Sequence, residues 1–136
     1  MNTSNWKYYY KRTADHVTAS SNMLYTALMN PNKDILCKHY CINEDYQGPQ
    51  PRMTQEIVDF FFEREARFLE ELQHLSCTPK LLEVDRNNNK IFIEWNTETI
   101  SQIVFDPARS IDKEIPNWKD QLYSVVKEFK NSEHYK

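Results

Sequence analysis

The stretch TQEIVDFFFEREARFLEELQHL, Thr54 to Leu75, decides how the rest of this chain is read. Thr54 suits a helix N-cap, Glu56 puts negative charge in the first turn where the dipole favours it, and Pro79 closes the region. At about 3.6 residues per turn, Ile57, Phe61, Phe68, Leu72 and Leu75 fall on one face, flanked by Val58, Phe62 and Leu69. The spacing therefore predicts a long amphipathic helix. Glu65 does not suit its apolar side, because it follows Phe61 by one turn and precedes Phe68 by another. A carboxylate in that place either sits at the margin of the core or meets a cation.

Upstream of the helix, the chain reads as strands. Trp6 to Arg12 carries Tyr8, Tyr9 and Tyr10, and Met23 to Met29 and Ile35 to Ile42 are apolar runs joined by the turn formers Asn30 to Asp34. In the third run, alternation places Leu36, Lys38, Tyr40 and Ile42 on one face, so a lysine interrupts an apolar strand face much as Glu65 interrupts an apolar helix face. Two opposite charges on two surfaces that should meet suggest an ion pair; the alternative is that both side chains reach solvent from the rim of an ordinary core. Downstream, Lys80 to Val84 and Lys90 to Trp95 are expected to pair around Asp85 to Asn89. Asn96 to Ile115 reads as a polar connector, and Pro116 to about Tyr135 as a second helix with a Trp118, Leu122, Val125 and Phe129 stripe. The expected fold class is α+β: an antiparallel sheet of about five strands carrying one long helix, plus a C-terminal helix.

Composition narrows the functional classes. The 136 residues fit one compact domain, and 40% hydrophobic against 27% charged residues is the balance of a foldable chain. A net charge of −3 provides no broad basic field for nucleic acid or anionic lipid. The aromatics at positions 6 to 10 beside Lys7, Lys11 and Arg12 could stack on single-stranded nucleic acid, but a sheet face packed on a partner accounts for them equally well. Cys37, Cys41 and Cys77 are odd in number and no apolar leader opens the sequence, which favours the cytoplasm. Cys37, His39, Cys41, His74 and Cys77 match no paired metal-ligand spacing, and Cys37 and Cys41 would lie about 13 Å apart along a strand, so no metal site is expected.

These segments, taken in order, resemble the N-terminal lobe of the protein-kinase-like superfamily, especially its aminoglycoside, choline and lipopolysaccharide kinase branches, over roughly residues 6 to 96. Ile35-Leu36-Cys37-Lys38 is similar to the strand ending in the phosphate-contacting lysine, and the helix around Glu65 to the one carrying its glutamate partner. Cys77 to Asp85 followed by Ile91 to Trp95 looks like the strands leading into the hinge. The resemblance implies ATP and Mg2+ as cofactors, with Lys38 and Glu65 at the phosphates, Ser21 and Asn22 in the loop over them, Leu36 and Ile93 against the base, and the backbone of Glu94 and Asn96 at its edge. The loop Thr18 to Tyr25 departs from phosphate-binding practice in having no glycine, and a merely polar hairpin loop remains the alternative.

No HxD-like segment occurs in the chain, so no catalytic residue is assigned within it. The expected division is a kinase-like lobe over 1–96 and a connector with helix over 97–136, the start of a second lobe. The expected function is an ATP-binding lobe, inactive alone, with a non-catalytic protein-interaction module as the rival. In the kinase-like reading the last helix is expected to be poorly anchored or to bury its stripe against a protein partner or a second copy; in the rival reading it would pack on the sheet and first helix.

Overall fold

In the computed structural model, which describes residues 1–10, 25–42, 54–95 and 100–131, the apolar runs become strands and the amphipathic stretch becomes a helix. The chain divides into two compact units, Met1–Gln73 with Pro79–Trp95, and His74–Thr78 with Asn96–Lys136. The first holds β1 (Lys7–Tyr10), β2 (Tyr25–Met29), β3 (Ile35–Tyr40), α1 (Gln55–Glu71), β4 (Leu81–Asp85) and β5 (Lys90–Glu94). The five strands form one sheet in the order β1-β2-β3-β5-β4, every neighbouring pair antiparallel. The α+β class is therefore as expected.

Local chemistry fixes both tight turns. Asn30 is buried, and its Oδ1 accepts hydrogen bonds from the N–H groups of Asp34 and Ile35 at 2.9 Å, which closes the β2–β3 connection. In the β4–β5 turn the Asp85 carboxylate accepts from the N–H groups of Asn87 and Asn88. Lys33 and Asn89 take positive φ, 59° and 53°; asparagine tolerates this region better than most residues. At the start of α1 the Thr54 side chain accepts from the Ile57 N–H at 3.3 Å, so the expected cap is formed.

The core lies between α1 and one face of the sheet. Ala27, Leu36, Tyr40, Ile91 and Ile93 from the strands pack with Val58, Phe62 and Ala66 of the helix. This corrects the expected helix stripe: Ile57, Phe61 and Phe68 are exposed, and the buried row is rotated by about one residue. Ala66 has little apolar weight on a helical wheel, yet its small side chain lets the helix approach the sheet closely, which is why it is buried in preference to the larger phenylalanines. On the other face Cys37 and Phe92 are fully buried, and Trp6 meets the Phe92 ring edge-on at a centroid distance of 5.6 Å.

The second unit contains α2 (Ile100–Val104), α3 (Ile111–Glu114) and α4 (Trp118–Lys130). Residues 100–104 and 111–114 were expected to belong to a plain connector. Their helices are five and four residues long, too short to show a helical period in the sequence. The α4 C-terminal turn is tied to Ser76, whose N–H and hydroxyl both donate to the Glu128 carboxylate at 2.6 Å. No α4 residue is buried. No helix among the described residues is long and apolar enough to cross a membrane.

Candidate functional site

The two charges that interrupt apolar faces meet. Lys38 Nζ donates to Glu65 Oε1 at 2.6 Å, and the two side chains are only 23% and 24% exposed. Sheet register explains how the lysine gets there: Lys38 stands between Ala27 of β2 and Ile91 of β5, and the alanine leaves room for the lysine stem to cross the sheet. The Tyr25 ring lies beneath the ammonium, 5.2 Å from Nζ to the centroid. Glu65 Oε2 is buried and has no hydrogen-bond partner among the described residues. The pair is thus satisfied on one carboxylate oxygen alone, an arrangement with a real desolvation cost.

A groove of about 440 Å³ opens beside the pair, bounded by Tyr25, Lys38, Phe61, Arg64, Glu65 and Phe68. It joins the β2–β3 face to the exposed aromatic side of α1. Leu36 and Ile93 do not line it. They face each other across β3 and β5 and are 3% and 4% exposed, so the surface expected to receive a base is covered in this structure. The Glu94 N–H donates to the Lys80 carbonyl at 2.9 Å, so it is already used within the sheet. Ser21, Asn22 and Asn96 lie outside the described residues.

Sequence reasoning missed a second feature, a polar groove of about 600 Å³ at the β4–β5 turn, lined by His39, Asp59, Glu63, Arg86, Asn88 and Asn89 among others. Arg86 clasps the helix here, its Nε donating to Glu63 Oε2 at 3.1 Å and its Nη2 to Glu70 Oε1 at 2.6 Å. The Arg86 guanidinium holds the Glu63 carboxyl below its usual range, with Arg67 acting in the same sense. Asn89 and Gln55 donate to Asp59 and lower it likewise. The signal was present in the sequence: Glu63 and Glu70 are two turns apart on one helix face, and an arginine in a turn is the natural partner for both.

The Cys37 thiol offers no nucleophile at this sheet. Burial pushes Cys37 up to about 12, with Lys90 opposing weakly, so it remains a protonated core residue. Burial also lowers His39, and the Lys90 charge adds to that. No group of three or more His, Cys, Asp or Glu residues that could hold a metal occurs among the described residues. Compared with protein-family models, curated proteins and solved structures, the chain matches none.

Proposed function

We propose that this chain is the ATP-binding lobe of a protein-kinase-like phosphotransferase and that it transfers no phosphate by itself. The Lys38–Glu65 ion pair carries the reading, because it joins the third strand to the helix directly beside the strand that leads towards Asn96. In this reading Lys38, aimed by Glu65, meets phosphate oxygens as a compact point charge. Ser21 and Asn22 cover them, Leu36 and Ile93 border the base, and the backbone of Glu94 and Asn96 faces its edge. Mg2+ would neutralise phosphate charge in the complete site. Its ligands, and the group that positions the acceptor, would come from a second lobe. The cytoplasm is the compartment that fits this use of ATP and the odd number of cysteines.

Since Leu36 and Ile93 are covered, admitting a base requires part of the core edge to open, and affinity should be low, with Kd about a millimolar. Titration calorimetry with ATP and magnesium tests this. The expected result is weak binding that falls about 10-fold or more in Lys38→Ala. Equal affinity in the variant would refute the role of the pair, and robust phosphotransfer by the pure chain would refute the need for a second lobe.

A second reading, a protein-interaction module without nucleotide, is favoured by one observation. Phe60, Phe61 and Phe68 of α1 are exposed together with Ile57, a group of large apolar side chains that a partner could cover. Absence of any nucleotide binding, together with concentration-dependent association in sedimentation, would select it.

A further inference from the structure

The groove beside the ion pair is lined by three charged side chains, Lys38, Arg64 and Glu65. Glu65 is occupied by Lys38 at 2.6 Å, so these two roughly cancel. Arg64 is different. Its guanidinium lies over the Phe68 ring, 5.9 Å from the centroid, and among the described residues it makes no ion pair with a carboxylate. This is notable on a helix so rich in acid, since Glu63 is taken by Arg67 and Arg86, and Glu70 by Arg86. The groove therefore carries a net positive charge on a chain whose overall charge is −3. The larger groove at the β4–β5 turn offers an anion no such opening, because its cation, Arg86, is already matched by two carboxylates.

We propose that Arg64 is a second anion-binding group of this site, gripping a phosphate chain whose other end reaches Lys38. A guanidinium attracted to a ring 5.9 Å away uses none of its N–H donors in that contact, and those donors suit bidentate contact with phosphate oxygens. The phenylalanine thus holds the fork in place without consuming its donors. The nearby rings of Tyr25 and Phe61 lower the local polarity and strengthen that contact. The inference rests on the nucleotide reading only for the source of the phosphates; the shared chemistry is a run of phosphoryl groups, free or attached to a nucleoside.

The test is titration of the full chain with tripolyphosphate, ATP and adenosine in turn, for wild type, Arg64→Ala, Arg64→Lys and Lys38→Ala. Arg64 is exposed, so the variants at this position should keep the wild-type circular dichroism and melting temperature. The expected result is tripolyphosphate binding that weakens about 10-fold in Arg64→Ala and is partly restored in Arg64→Lys, with ATP following the same order. Unchanged tripolyphosphate affinity in Arg64→Ala overturns the assignment of Arg64, while a loss in Lys38→Ala alone leaves the nucleotide reading intact. Failure of the wild type to bind tripolyphosphate at millimolar concentration overturns the assignment as well; Lys38-dependent ATP binding in that case shows that the nucleotide reading has survived it.

Discussion

At the scale of single residues, the central feature is a pair of half-buried charges whose cost is only partly offset. Each side chain is about three-quarters covered, and one Glu65 oxygen has no donor among the described residues. Lys38→Met or Glu65→Leu alone leaves its partner poorly solvated, and should cost about 1–2 kcal/mol. The double variant should recover much of this loss, so a urea double-mutant cycle should give a coupling of about 1 kcal/mol or more. Strict additivity would mean that the two groups are effectively solvated. Cys37 gives an independent reading of the core. Its folded value, about 12, lies above the ordinary 9.0, so the neutral thiol favours the folded state. That contribution is complete below about pH 9 and is lost as pH rises towards 12. In a thiol-labelling time course at pH 8, exposed Cys77 should react at once and Cys37 only at the rate of unfolding. Rapid labelling of Cys37 in the native protein would contradict the packing on that sheet face.

At the scale of elements, the strands and α1 were legible because each carries a period matched to its environment. The β2–β3 and β4–β5 connections announced themselves through asparagine and aspartate, whose side chains do close those turns. The Lys38–Glu65 pair was legible because each residue breaks an otherwise apolar face. The rotation of α1 was not, since a wheel weighs bulk and could not foresee that Ala66 would be buried and Phe61 exposed. Nor could the wheel show that Leu36 and Ile93 are covered, because that depends on packing rather than on the alternation within either strand. The α4 helix has 13 residues, none buried, with Leu122 55% exposed, and isolated helices of that length are marginal in water. Its Glu128 clasp on Ser76 is then one local anchor. Hydrogen exchange across 118–130 should be fast in dilute protein, faster still in Glu128→Ala, and slower as concentration rises if a second copy covers the stripe. Strong protection independent of concentration would show that α4 is held without a partner.

At the scale of the whole molecule, the sheet and α1 present a positively charged groove on an acidic chain, and that groove lies where a helix and a central strand exchange an ion pair. An acidic overall charge slows the approach of any polyanion, so moderate salt should raise the on-rate even as it weakens the contacts with Lys38 and Arg64. The measurement that bears most directly on the nucleotide reading is a backbone amide shift map of the chain titrated with ATP and magnesium. Shifts are expected to concentrate on Lys38 and its β3 neighbours, on α1 around Arg64 and Glu65, and at Glu94. Shifts confined to the Arg86 groove, or none at millimolar nucleotide, would contradict it.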